Sequence, residues 1–398
     1  MLDAGRILAV SAPNDYRWPY EGLFAANYAA PSGASTELAL FSYDTDGELR
    51  LIETASHCGS CFGGRSSRGY AYLSFSARLD YSILIDALVA IVPLDSDADF
   101  QTAYKMAEDR LKTLIPEWRN DVLGSLFGDG DSLEISRILN TILLVDPQDG
   151  NDGFTAAEIN QSYLSIAGFS LSSGLGAPSE GGIFSTSSSY SSDLYADGET
   201  AVVANCAYAD SDGDWTQTTQ LYAFRTSEGA VAPASIGSVQ GHNLGQFSLD
   251  IHDGYLRAAT WSSATWTLSD GVWSARDPSQ SRVSVLSMDE PAMTLVGCVE
   301  GIGRGESLYA VRFLGDLGLA VTFRQIDPFF TIDLSDPRRP VVLGEIEVAG
   351  FSSYLHPMDP DHILAIGQAP GTSGSELQVS IFDISNPAAP ALDDRFLA

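Results

Sequence analysis

Short runs of alternating or continuous apolar residues recur along most of the chain, separated by clusters of Gly, Ser, Asp and Pro. Alternation places every second side chain on one face, so these runs predict β-strands. The predicted strands are Arg6–Val10, Glu37–Tyr43, Ala71–Phe75, Tyr163–Phe169, Ala201–Asn205, Gln220–Phe224, Tyr255–Trp261, Arg282–Ser287, Leu319–Phe323, Phe329–Leu334, His362–Ile366 and Gln378–Ile384. Many short strands with regular turn signals are typical of an all-β sandwich, barrel or propeller.

One region has a different period. Between Asp95 and Ile115 the apolar residues follow helical spacing, and Pro116 ends the pattern. A second, weaker helical pattern covers Ser132–Leu144. We therefore predict a mainly helical insertion at about 80–155, with β-structure before it over 1–79 and after it over 156–398.

A repeated motif distinguishes among the β architectures. The segment Ile332–Pro340 recurs as Phe382–Pro390, and weaker versions of the same strand-then-turn element end near Asp44, Phe169, Arg225 and Ser287. A period of ~40–50 residues with several strands per unit is typical of propeller blades. The repeat predicts an all-β propeller of about six to seven blades. Within the motif, the Asp side chains are expected to close Asx turns and the Pro residues to direct the chain out of them.

Composition narrows the classes of partner. The chain of 398 residues has 21 Lys and Arg against 52 Asp and Glu, a net charge of −31. A surface this acidic repels phosphate backbones, so nucleic acid is not expected as a partner. The best apolar run, Ile83–Leu94, is interrupted by Asp86 and is too short for a transmembrane helix. No secretory signal follows Met1, and the two ends favour a piece of a longer chain.

Four segments carry a resemblance to a known family. They are Gln246–Arg257, Tyr309–Asp316, Val321–Phe330 and Gly350–Pro357. Together they resemble a family of secreted bacterial and archaeal proteins with a C-terminal β-propeller distantly related to WD40 repeats. The resemblance is strong from about 160 to 390 and implies a propeller fold and an extracytoplasmic or secreted location. It implies no activity, because the family has none assigned.

Acidic residues at alternate positions suggest one metal site. Asp210, Asp212 and Asp214 surround Gly213, and hard cations such as Ca²⁺ prefer several carboxylate oxygens on a flexible turn. The alternative is a solvated hairpin turn without a ligand. A weaker acidic loop of the same kind contains Asp146, Asp149 and Asp152.

A second candidate site lies within the resembling segments. Asp250 and His252 share one face of a predicted strand, where they can hold a metal or act as a general base, or can instead belong to a hydrogen-bond network that ties strands together. The full set of candidate ligand-binding residues is Asp250, His252, Arg257, Arg324, Asp327 and His356. Arg324 and Asp327 are interpreted as a buried pair that holds the blade turn, with a pair that faces the central channel and binds an anion as the alternative.

The cysteines leave several possibilities open. Cys58 and Cys61 have the spacing of a redox motif, yet their Gly-rich surroundings favour a loop disulfide or free thiols. Zinc with His57 as third ligand is a further possibility. We expect a non-catalytic extracytoplasmic module that binds a protein or small molecule. The alternative is a metal-dependent hydrolase or lyase that uses Asp250, His252 and His356 at the propeller channel.

Overall fold

The described part of the protein is built almost entirely from β-strands. The computed structural model describes residues 2–3, 5–11, 35–43, 48–78, 162–184, 189–211, 214–269, 272–290, 292–323, 327–369 and 376–397. Within these ranges six four-stranded sheets form, and in each the strands neighbour one another in chain order apart from one inserted hairpin. No helix in these ranges is long and apolar enough to cross a membrane. The predicted helical insertion at 80–155 lies outside the described residues.

The chain divides into two compact units, and the first contains residues 1–205 and 222–236. Sheet 1 consists of β1 (Leu2–Asp3), β2 (Arg6–Ser11), β3 (Ser35–Tyr43) and β4 (Leu49–Cys58). Sheet 2 consists of β5 (Ser60–Ser67), β6 (Tyr70–Arg78), β7 (Ser162–Ser170) and β8 (Gly174–Phe184). Sheet 3, whose residues are divided between the units, consists of β9 (Ser189–Ala196), β10 (Thr200–Ser211), β11 (Asp214–Ser227) and β12 (Ala230–Gln240).

The second unit contains residues 206–221 and 237–398. After a short 3₁₀ helix, Gln246–Ser248, sheet 4 consists of β13 (Leu249–His252), β14 (Tyr255–Ser262), β17 (Gln280–Ser287) and β18 (Thr294–Ile302), with β15 (Thr265–Ser269) and β16 (Val272–Asp277) as an inserted hairpin. Sheet 5 consists of β19 (Ser307–Leu314), β20 (Leu317–Phe323), β21 (Asp327–Asp333) and β22 (Val341–Val348). Sheet 6 consists of β23 (Phe351–Pro357), β24 (His362–Gln368), β25 (Leu377–Asp383) and β26 (Ala391–Leu397).

The sheets of the second unit pack face to face through the apolar residues of their central strands. Neighbouring side chains of a strand point to opposite faces, so Phe330 packs with Val283 of sheet 4 while Phe329 packs towards sheet 6. The rings of Phe329 and Phe382 are stacked with centroids 4.4 Å apart. A central strand is therefore buried on both faces, which explains the apolar runs from which the strands were predicted.

The repeated motif forms the turn between the third and fourth strands. As predicted, Asp333 Oδ1 accepts a hydrogen bond from the Ser335 backbone N–H at 2.9 Å, and Asp383 Oδ1 accepts one from Ser385 at 2.8 Å. Hydrogen bonds from the Ser335 and Ser385 side chains, and after them these backbone bonds, lower the pKa of the two carboxyls. The turn following Asp383 contacts the previous sheet, because a Cβ placed on Gly344 of β22 would lie 2.6 Å from the Pro387 carbonyl oxygen. Gly297 of β18 lies against the Pro337 turn in the same way.

Candidate functional site

The first strands of sheets 4, 5 and 6 carry polar residues at one equivalent position. The pairs with the second strand are Asp250↔Arg257, Arg312↔Leu319 and His356↔Leu364. In each pair the second-strand residue lies two positions after a common reference position. The reference position is the first residue of the second strand, which pairs with the last residue of the third strand: Tyr255 with Ser287, Leu317 with Asp333 and His362 with Asp383. Three neighbouring strands therefore present a carboxylate, a guanidinium and an imidazole at the same level.

Arg257 is the buried centre of the first polar group. Its side chain is 4% exposed, and Nη1 lies 3.4 Å from Asp250 Oδ2 on the neighbouring strand. Nη1 also donates to the Gly315 carbonyl oxygen, and Nη2 lies 4.0 Å from Asp316 Oδ1. Gly315 and Asp316 form the turn between β19 and β20, so Arg257 ties sheet 4 to the first hairpin of sheet 5. A guanidinium with these partners is a structural link between sheets.

His252 belongs to the edge of the same group. Its Nε2 lies 3.3 Å from Asp316 Oδ1 and 3.7 Å from Asp253 Oδ2, and one third of its side chain is exposed. Asp253 adopts a φ of 49°, which the following Gly254 completes as a tight turn. The predicted shared face of Asp250 and His252 agrees with the strand register. Both side chains face charged protein groups, which favours the structural network over the metal or general-base alternative.

A second group contains aromatic and cationic side chains. Arg312 Cζ lies 4.6 Å from the centroid of the Phe247 ring, and that ring meets Tyr354 edge-on with centroids 5.9 Å apart. The Tyr354 hydroxyl lies 3.3 Å from His356 Nδ1, and the two rings are nearly parallel. Phe247 comes from the 3₁₀ helix, whereas the other three side chains come from β19 and β23. We name Phe247, Arg312, Tyr354 and His356 the aromatic–cationic surface.

The predicted site residues are thus divided. Asp250, His252 and Arg257 come together, with Asp316 as an added partner, while His356 lies in the aromatic–cationic surface. Arg324 lies outside the described residues, and Asp327 begins β21 with a side chain that is not described. Among the residues that the structure describes, no three His, Cys, Asp or Glu side chains form a metal-binding group.

The predicted calcium site lies at a gap in the described residues, positions 212–213. Asp210 lies near the end of β10, Asp214 begins β11, and Asp212 between them is not described. Asp146, Asp149 and Asp152 also lie outside the described residues. Calcium binding therefore stays a prediction.

The cysteine motif contains a free thiol. Cys61 forms no disulfide; its thiol donates to the Gly63 carbonyl oxygen at 3.3 Å, and burial raises its pKa. A raised pKa disfavours the thiolate that redox catalysis needs. The His57 ring stacks on Phe75 with centroids 3.8 Å apart, which makes it part of the packing. The side chain of Cys58 is not described.

The candidate set predicted from the sequence lacked four residues of these groups: Phe247, Arg312, Asp316 and Tyr354. Asp316 lies near Arg257 although it is 59 positions further along the chain, and no local sequence pattern indicates that contact. The equivalence of Asp250, Arg312 and His356 was open to detection. Asp250 and Arg312 each lie five positions before the start of the second strand at Tyr255 and Leu317. His356 lies six positions before His362 because its turn is one residue longer, so an alignment with one gap places the three residues in one column.

The structure and the comparisons with known proteins agree. Four-stranded sheets that follow one another in chain order and stack face to face define a β-propeller. The chain belongs to the Beta propeller domain family, whose model matches residues 1–397. The predicted propeller fold is thereby confirmed.

Two curated relatives come from archaea. An uncharacterized protein from Archaeoglobus fulgidus is 37% identical over 190 residues, which cover 46% of this chain and 27% of the relative. An uncharacterized protein from Methanocaldococcus jannaschii is 38% identical over 160 residues, which cover 40% of this chain and 24% of the relative. The chain therefore spans about a quarter of the length of the curated relatives it matches.

Proposed function

We propose that this propeller is a non-catalytic binding module whose ligand lies on the aromatic–cationic surface. The observation that carries the proposal is the exposure of two aromatic rings in edge-on contact beside a charged guanidinium. Phe247 is 39% exposed and Tyr354 is 36% exposed, although large apolar rings are normally buried in a propeller blade. Exposed aromatic faces next to a few polar groups are common features of binding sites.

The engagement of the predicted catalytic residues supports a non-catalytic role. Asp250 is paired with Arg257, and His252 faces Asp316. A carboxylate held against a buried guanidinium is a weak general base, because the neighbouring positive charge stabilises its ionised form. The Arg257 group therefore serves to fix the strands that carry the aromatic–cationic surface.

The proposed location is extracytoplasmic. Two observations support it: the net charge of −31, which favours solubility, and the resemblance of the sequence to a family of secreted propeller proteins. Fractionation of native cells followed by immunodetection tests the location. Recovery of the protein in the cytoplasmic fraction alone would contradict it.

The binding role is tested with a panel of small planar compounds of neutral, cationic and anionic character. Saturation-transfer NMR compares the wild-type protein with a Phe247→Ala, Tyr354→Ala double variant. We expect at least one compound whose signal in the wild-type spectrum is lost in the double variant. A panel in which no compound distinguishes the two proteins would refute binding at this surface, provided that both show the same circular dichroism spectrum.

A further inference from the structure

The guanidinium of Arg312 differs from the buried guanidinium groups of the same unit. Arg257 Nη1 lies 3.4 Å from Asp250 Oδ2, and Arg282 Nη1 lies 3.0 Å from Glu300 Oε1. Arg312 is half-buried, and its contact with a described side chain is the face of the Phe247 ring at 4.6 Å. Within the described part of the chain no carboxylate lies in ion-pair distance of Arg312, although acidic residues outnumber basic ones by 52 to 21.

The contact that the structure describes for the Arg312 guanidinium is with the Phe247 ring, which Cζ overlies at 4.6 Å from the centroid, and not with an oxygen acceptor. An arginine stacked on a ring uses its flat face, while its N–H groups project outward in its own plane. Those N–H groups match the two oxygens of a planar carboxylate, which they bind with two parallel hydrogen bonds. Arg312 therefore has the arrangement of an arginine prepared for an anionic partner.

The remaining members of the surface add an apolar and a polar contact. The rings of Phe247 and Tyr354 meet at 66°, and each residue is more than a third exposed, so the pair offers apolar ring surface to a flat group. His356 contacts the Tyr354 hydroxyl through Nδ1, and its other ring nitrogen has no described partner. Because His356 and Arg312 occupy equivalent positions on adjacent first strands, both point to the same part of the surface.

We propose that the aromatic–cationic surface binds a small organic carboxylate with a planar body. The carboxylate pairs with Arg312, and the planar body packs against Phe247 and Tyr354. This inference rests on the proposed binding function and specifies its ligand class. The overall charge of −31 repels simple anions, so stacking on the rings selects a planar carboxylate over a bare phosphate.

Benzoate is the probe, and benzamide is its neutral counterpart of nearly the same shape. Affinities for both are measured by ligand-observed NMR titration against the full chain. Losing a charge-assisted hydrogen-bond pair weakens binding about tenfold or more. We therefore expect benzamide to bind at least about tenfold more weakly than benzoate, and inorganic phosphate to leave benzoate bound.

Three variants locate the binding. Arg312→Gln is expected to weaken benzoate about tenfold and to leave benzamide unchanged, whereas Phe247→Leu weakens both compounds. Arg339→Gln is the matched control, since Arg339 is an exposed arginine on the β21–β22 turn of the same sheet. It is expected to bind benzoate as the wild type does.

The outcomes separate the two proposals. Equal affinity for benzoate and benzamide, both weakened by Phe247→Leu, would overturn the carboxylate inference and leave the binding surface standing. Displacement of benzoate by phosphate at comparable concentration would also overturn it, in favour of a bare anion site. Absence of benzoate binding to the wild type would overturn the inference, and benzoate binding unchanged in both Arg312→Gln and Phe247→Leu would remove the surface as well.

Discussion

At the scale of single residues, Arg257 shows how a buried charge serves the architecture. Its guanidinium contacts Asp250 on the neighbouring strand and both residues of the β19–β20 turn. A buried guanidinium stabilises the fold only while its partners are present, because a buried charge without an opposite charge or hydrogen-bond acceptor destabilises the folded state. Arg257 and its partners therefore link sheet 4 to sheet 5 as a unit.

Replacement of Arg257 tests this link. Arg257→Met is expected to lower the free energy of unfolding by about 3 kcal/mol, since it leaves the half-buried Asp250 without its cation. Urea unfolding followed by circular dichroism measures the loss. Arg304→Met, at an exposed position of the same unit, is the control and should change the free energy by about 0.5 kcal/mol or less. Equal losses in the two variants would show that Arg257 makes no such link.

The Asx turn at Asp383 predicts a specific dependence on pH. Hydrogen bonds from Ser385 lower the pKa of this carboxyl from its ordinary value of 3.8. A lowered pKa in the folded state adds stability that is fully present above about pH 4 and is lost as the pH falls through the folded pKa. The difference in unfolding free energy between wild type and Asp383→Ala should therefore be constant above about pH 5 and shrink towards acid.

The control for that experiment is Asp393→Ala, which removes an exposed aspartate from the same sheet. It corrects for the loss of one negative charge in a very acidic protein. A difference between wild type and Asp383→Ala that does not change with pH would mean that the turn bonds do not favour the ionised carboxyl.

At the scale of strands, the central strands of every sheet were predictable and the outer ones were not. All twelve predicted strands are observed, with ends that differ by at most six residues, and they are the second and third strands of the six sheets. Strands such as β20 are buried on both faces over residues 318–322 and so form apolar runs. First and fourth strands are covered less completely, as in β22, where exposed and half-buried residues alternate along most of its length.

The site was predictable only where it is local. Asp250, His252 and Arg257 lie within eight positions, so the period of two sufficed to place the first two on one face. The contact between Phe247 and Tyr354 joins segments more than a hundred residues apart. Such contacts depend on how the sheets stack, and no local pattern in a single sequence predicts them.

The stacking of sheet 5 on sheet 6 is tested at Gly344. An added methyl group would lie 2.6 Å from the Pro387 carbonyl oxygen and 2.7 Å from Pro390 Cδ, so the turn of sheet 6 would have to move. Overpacking of this kind should lower the free energy of unfolding of Gly344→Ala by about 1–3 kcal/mol. Gly176→Ala in β8 is the control, because nothing lies within 4 Å of the added atom. Stability equal to that of the wild type in Gly344→Ala would contradict the close contact.

At the scale of the whole molecule, the excess of acidic residues makes cations natural partners. Asp210, Asp212 and Asp214 are predicted to bind Ca²⁺. Binding to the folded state alone adds about 2.7 kcal/mol when free Ca²⁺ exceeds the Kd a hundredfold. The melting temperature should therefore rise in millimolar CaCl₂ and fall with chelator, and Asp212→Asn should reduce the response.

Sodium chloride at matched ionic strength distinguishes a site from screening of the net charge. Screening acts on all exposed carboxylates and does not require Asp212. If both salts raise the melting temperature equally, or if Asp212→Asn responds as the wild type does, the calcium site is removed from the account.

We propose that the propeller, stabilised by Arg257 and its partners, presents a binding surface made of Phe247, Arg312, Tyr354 and His356. The most direct measurement is a crystal structure of the protein soaked with benzoate. We expect density for the benzoate ring against Phe247 and Tyr354, with its carboxylate within hydrogen-bond distance of Arg312, at about 2.7–2.9 Å. Benzoate bound elsewhere, with these four side chains contacting solvent, would contradict the account.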